Sequence, residues 1–360
     1  MAAADVLTPS AAHASSWGPY QHVGSIIAKP TKEAFDPKKH LNFAPPAKVH
    51  TMADIGLPKD TGVSALAVSE PFPLFTPEAV MRMREEVLSD AVMDNCQYSS
   101  NLAQAQLRGY ADKYAPFVYD AWKHPETLRI VSKVAGIDLA VQFDFEIGHI
   151  NLSFKTEEQR QRELRAYHNP PMPKTTGSGA DDNDQDAAPP IVGWHKDSYP
   201  FVCVVMLSDC TNMIGGETAL RTGTGEILKI RSPQMGHAII LQGRYIEHQA
   251  LRALGATERI TMVTSYRPRQ PHVRDDTVLT TVRPISDLGE LYHQFAKYRL
   301  EMLEERVRAQ LRELVDARAA GRRVPTRRLK AFFVEQQRFL EHMDREMVQD
   351  EEVVKGVMGH

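Results

Sequence analysis

The order of apolar and polar positions divides the chain into stretches of unlike period. Residues 1–70 carry many Pro, Ala and Lys and little sustained periodicity, which predicts an extended N-terminal arm. From Thr76 the spacing becomes helical. Thr76 suits an N-cap with Pro77 at the first helical position, and Val80, Met83, Val87 and Val92 share one face. A second helix is predicted over Pro125–Val134, closed by Gly136. Then the period drops to two. Val141, Phe143, Phe145 and Ile147 alternate with polar residues, and Ile150, Leu152 and Phe154 repeat the pattern after a shift, as half-buried strands do.

Residues 156–190 interrupt this with a charged stretch, Pro170-Pro171, a Gly/Ser/Thr run and the acidic run Asp181 to Asp184. So little apolar surface predicts a mobile loop, placed to serve as a lid. Short apolar runs then come in close succession: Ile191–His195, Phe201–Leu207, Glu217–Leu220, Glu226–Ile230, His237–Leu241 and Arg259–Tyr266. Their spacing predicts an antiparallel sandwich or barrel rather than alternating strand–helix units. Past residue 286 the period is helical again. Leu288, Leu291, Phe295, Tyr298 and Met302 begin one stripe that runs to Leu314. After a break at Gly321–Pro325, residues Leu329, Phe332, Phe333, Phe339, Leu340 and Met343 form another. An αα-hairpin is expected over 286–360, packed on a body at 71–285.

Composition narrows the class. With 360 residues, 42% hydrophobic and 25% charged, the chain reads as a globular protein able to bury a large core. A net charge of −3 and no basic strip interleaved with aromatics argue against nucleic acid, and against an anionic membrane, as partner. No apolar run is long enough to span a bilayer, and the N-terminus lacks a signal-peptide pattern, so a cytoplasmic location is expected. Cys96, Cys203 and Cys210 form no CxxC pair and read as reduced thiols.

The candidate chemistry begins at His195-Lys196-Asp197. On a strand, residues i and i+2 point to the same side, so an imidazole and a carboxylate can face one cavity. The pair alone is weak evidence, since 14 histidines supply about one such tripeptide by chance. His342-Met343-Asp344 is that chance match: on a helix, i and i+2 diverge by roughly 200° and cannot chelate together.

Residues further along the chain raise the weight of His195 and Asp197. His248 comes 51 residues after Asp197, and Arg259 11 residues after His248, with Thr261 on the same side of an apparent strand. In this His-x-Asp … His … Arg-x-Thr order, with Gly215-Gly216-Glu217-Thr218 between, the stretch 140–268 resembles the Fe(II)/2-oxoglutarate-dependent dioxygenase superfamily. Its part from Trp194 to Arg267 also looks like fungal members from secondary metabolism. The resemblance implies an α+β protein with a double-stranded β-helix (jelly-roll, cupin-like) core and flanking helices. It implies Fe(II) on His195, Asp197 and His248, a facial triad leaving three coordination positions open. It further implies 2-oxoglutarate and O₂ as co-substrates, ascorbate as an aid in vitro, and Arg259 with Thr261 on the distal carboxylate.

Other candidates are softer. Asn151 is a candidate cosubstrate contact or a satisfied buried amide. Tyr199 and Phe201 are candidates for the pocket wall or the core, Trp194 and His237 for the core, and Arg244 for a substrate carboxylate or a surface acid. Glu146 and His149 form no credible second metal site. The expected reaction is hydroxylation, desaturation or cyclisation at an unactivated C–H bond of a small molecule, an amino acid or natural-product intermediate. The alternatives are a cupin-like metalloenzyme without 2-oxoglutarate, and a non-catalytic jelly-roll binding protein. A homodimer through the C-terminal helices is a further expectation.

Overall fold

The computed structural model describes residues 33–103, 105–168, 192–231 and 234–357. Its centre is eight antiparallel strands: β1 (His149–Phe154), β2 (Val192–His195), β3 (Phe201–Met206), β4 (Thr218–Arg221), β5 (Ile227–Ile230), β6 (His237–Leu241), β7 (His248–Ala250) and β8 (Glu258–Pro268). The order β1-β8-β3-β6 forms the middle of a large sheet, and β2-β7-β4-β5 forms a small one. The chain crosses between the two sheets at nearly every turn. That alternation is a double-stranded β-helix, and the flanking helices make the protein α+β.

The apolar runs are continuous because the large sheet is buried on both faces. Phe201, Cys203 and Val205 pack outward with Ile240, Ile260 and Met262 against α1 (Pro77–Val87), α2 (Pro116–Lys123) and α3 (Pro125–Ala135). Thr76 Oγ1 caps α1 by accepting from Ala79 N at 3.2 Å, and Trp122 of α2 is fully buried under the sheet. Val202, Ile239 and Leu241 point the other way, into the sandwich.

Residues 33–70 of the stretch assigned to the arm contribute Leu66–Ser69 at the edge of the large sheet, beside β6, and Val49–Thr51 beyond it. The remainder of that stretch, 1–32, lies outside the described residues, as do 169–191 of the expected loop.

Two local expectations are corrected. Residues 157–168 are not loop but α4 (Glu157–His168), a helix with no buried residue. Its start is a capping box. Thr156 Oγ1 accepts from Gln159 N at 3.2 Å while Gln159 Oε1 accepts from Thr156 N at 2.8 Å. Glu163 ties it down, pairing with Lys155 at 2.7 Å and with Arg252. The alternating stretch 141–147 is strand only over Leu139–Val141 and then a 3₁₀ turn at Asp144–Glu146. Phe143 and Phe145 alternate because they pack on the C-terminal helices, while Gln142 and Glu146 are buried too.

The C-terminal hairpin is α5 (Leu288–Ala319) and α6 (Thr326–Glu346). Phe295, Tyr298, Met302, Phe339 and Met343 close over Phe143, Phe145 and Tyr199. The His342–Asp344 match sits on α6, where His342 Nδ1 accepts from Arg299 Nη2 at 3.0 Å. Phe333 and Leu340, counted in the second stripe, face solvent rather than the core. Among the described residues no helix is long and apolar enough to cross a membrane.

Candidate metal centre and cosubstrate pocket

β2 and β7 are neighbours in the small sheet, and His195 and His248 are directly paired across them. Their rings lie 4.3 Å apart, centroid to centroid. Each ring is oriented by its own strand. His195 Nδ1 donates to Gly193 O at 2.7 Å, and His248 Nδ1 donates to Ile246 O at 2.9 Å. Both protons are therefore held on Nδ1, and both Nε2 lone pairs face the carboxylate of Asp197. The distances are 3.3 Å from His195 Nε2 to Oδ1 and 3.5 Å from His248 Nε2 to Oδ2.

Donors about 2.1 Å from one octahedral ion, at right angles, lie about 3 Å apart. The three donor atoms here fall within 4.8 Å of one another, so a small adjustment seats a metal. Asp197 Oδ2 is buried without a hydrogen-bond partner, which a cation would satisfy. Electrostatics agree. Burial would raise the Asp197 carboxyl, but the adjacent imidazoles outweigh it and hold it below its ordinary value. Burial drives His248 down to about 4, so it stays neutral as a ligand must. For His195 burial is outweighed by Asp197, and its pKa is raised.

The triad opens onto a cavity of about 150 Å³ between the sheets. Arg259 and Thr261 of β8 and Asn151 of β1 line it, with Thr261 directly paired to Asn151 and Arg259 to Ser153. Arg259 is 7% exposed, and burial lowers its pKa to about 10. Among the described residues it has no carboxylate partner, and its Nε donates to nothing. A buried guanidinium left this way calls for an anion.

The other candidates separate cleanly. Tyr199 reaches the cavity, whereas Phe201 belongs to the core beneath the helices. Trp194 points away, its ring 4.5 Å from the Arg221 guanidinium carbon. Neither His237 nor Arg244 lines the cavity. Arg244 donates Nε–H to Asp276 O at 2.8 Å.

Sequence reading missed one polar wall. Arg108, 2% exposed, ion-pairs with Glu146, donates to Ser286 Oγ at 3.1 Å and to His149 Nδ1 at 3.2 Å. Tyr199 donates to Glu146 Oε1 at 2.6 Å. Burial, reinforced by Arg108, holds His149 down at about 3. Nothing near Arg108 in the chain marks it, because its side-chain hydrogen-bond partners lie 38 and more residues away.

No protein-family profile and no curated protein sequence matches the chain. Solved structures similar to parts of it include a 2OG-Fe(II) oxygenase family oxidoreductase from Burkholderia pseudomallei. It is 14% identical, over 49% of this chain and 76% of that one, with a TM-score of 0.32. A prolyl-4-hydroxylase from Pseudomonas putida is 12% identical over 54% and 88%, with a TM-score of 0.33. AviO1 from Streptomyces viridochromogenes is 12% identical over 57% and 91%, with a TM-score of 0.36.

Proposed function

We propose that this chain is an Fe(II)/2-oxoglutarate-dependent oxygenase that oxidises an unactivated C–H bond of a small molecule, by hydroxylation or by desaturation or ring closure. The observation that carries this reading is the pairing of two features in one cavity: three convergent metal donors, and a buried Arg259 with no carboxylate partner among the described residues. His195, Asp197 and His248 would hold the metal on one face. Arg259 would take the distal carboxylate of 2-oxoglutarate, with the Thr261 hydroxyl beside it and the Asn151 amide across the strand pair. Val202, Val204, Ile239, Leu241 and Val263 form an apolar part of the cavity wall, which would limit water at the reacting centre. Iron with 2-oxoglutarate and O₂ supplies the oxidising chemistry, coupled to release of succinate and CO₂.

A cavity of about 150 Å³, which the cosubstrate would share, suits a small substrate, of the size of an amino acid or a small natural-product intermediate. Incubation with Fe(II), ascorbate and 2-oxoglutarate tests the class through succinate release. Anaerobic visible absorbance of the Fe(II)–2-oxoglutarate complex tests binding directly. Both signals are expected in the natural protein and lost in Arg259→Ala. Turnover that persists in Arg259→Ala points instead to metal chemistry without 2-oxoglutarate. A mass-shift screen over amino acids and metabolite extracts, reading gain of oxygen or loss of hydrogen, then identifies substrate and outcome.

A further inference from the structure

One side of the C-terminal hairpin serves neither the core nor the cavity. Three contacts set the antiparallel register of α5 and α6: Arg299 with His342, Arg306 with Gln336, and Glu313 with Arg328. Beyond Arg306 on α5, and before Gln336 on α6, only Ala317 is buried. The outer 13 or so residues of α5, roughly 20 Å of helix, therefore stand clear of the body.

At 100° per residue, Leu300, Val307 and Leu311 project from α5 to the side opposite the buried stripe. In the observed register, Phe333 and Leu340 project from α6 to that same side. All five are exposed, from 39% at Val307 to 57% at Phe333. Exposed apolar side chains gathered on one side of two helices, with charge among and around them, mark an interaction surface.

The charge on this face is polarised. Its outer end carries Arg318, Arg322, Arg323 and Lys330, all exposed, with no acidic residue between 317 and 334. Its inner end carries exposed Glu341, Asp344 and Glu304, the last also paired with Arg308 one turn on at 2.7 Å. An anionic membrane would attract one end and repel the other. A second copy laid antiparallel satisfies both, setting each basic end on the other's acidic end while the apolar strips close on each other.

We propose that this face is a homodimer interface, with the two hairpins antiparallel, the contact centred near Leu311 and Arg318 of one copy opposing Glu304 of the other. Light scattering on the full chain after size exclusion, at about 100 µM protein, tests it. The expected mass is twice the 40.4 kDa of one chain. The double variant Leu311→Asp, Phe333→Asp is expected to be monomeric, with unchanged circular dichroism and unchanged metal binding. Arg318→Glu is expected to weaken association about tenfold or more, and adding Glu304→Arg to restore it. A monomeric natural protein, or a dimer that survives the double variant, overturns the interface. A charge swap without effect overturns the antiparallel register.

Discussion

Gly243 and Asp197 occupy each other's space. Asp197 N donates to Gly243 O at 3.0 Å, and the Asp197 carboxylate lies where a Cβ on Gly243 would sit. Gly243 lies in the turn between β6 and β7, so the connection that leads to His248 also locates the carboxylate two residues past His195. Glycine is required there for close approach rather than for a left-handed backbone.

Gly243→Ala is therefore expected to displace Asp197 and weaken metal binding about 10- to 100-fold, while leaving the fold intact. Metal titration followed by calorimetry, alongside far-UV circular dichroism, checks it. Metal affinity within twofold of the natural protein would show that Asp197 relaxes freely.

Arg259→Met separates binding from stability. The buried guanidinium has no anionic partner among the described residues, so replacing it with an apolar side chain of similar length should leave the melting temperature unchanged or raised. Affinity for 2-oxoglutarate should fall by about 100-fold or more. A substantial loss of thermal stability would mean that Arg259 is a structural residue.

Acid should weaken the metal-free protein through two histidines. His248 and His149 are held at about 4 and about 3 in the folded chain, both below the ordinary 6.5. The unfolded chain binds more protons across that range, so their contribution is complete above about pH 6.5. It is lost as pH falls towards 4 and 3, at about 1.4 kcal/mol for each unit of difference. The raised His195 acts in the opposite sense and offsets part of the loss. Urea unfolding from pH 7.5 to 4 should show stability declining, with a shallower slope in His149→Gln. A flat profile would count against neutral buried imidazoles.

Glu146→Gln leaves Arg108 buried without its counter-charge and is expected to destabilise by about 3–5 kcal/mol. Tyr199→Phe removes only the hydroxyl bond to the same carboxylate and should cost about 1–2 kcal/mol. Replacing Arg108 and Glu146 together by Met and Leu should recover much of the first loss. Chemical denaturation of the three variants gives the order.

Seven of the eight jelly-roll strands were legible as short apolar runs between Gly and polar turns, while β7, the tripeptide His248-Gln249-Ala250, has no such run. The spacing of His195 and Asp197 marked the pair, but the shared strand face expected for it is corrected: β2 ends at His195, and Asp197 is placed by its bond to the turn at Gly243. What the chain did not reveal was made by partners far apart in sequence. Arg108 gains meaning only beside Glu146, His149 and Ser286. Phe143 and Phe145 look like strand positions until α5 arrives to cover them. The α4 helix is a different failure. Its Thr156–Gln159 capping box was readable, but the low apolar content of the stretch outweighed that signal.

The direct pairing of His195 with His248 would make a bound metal a judge of folding as well as a reagent. β7 has three residues and β2 has four, too few to fix their own alignment firmly. A slip of one residue in either strand would send one imidazole to the outer face of the small sheet. Only the correctly aligned chain offers all three donors, so a metal bound by them would select that alignment from its near neighbours and keep it.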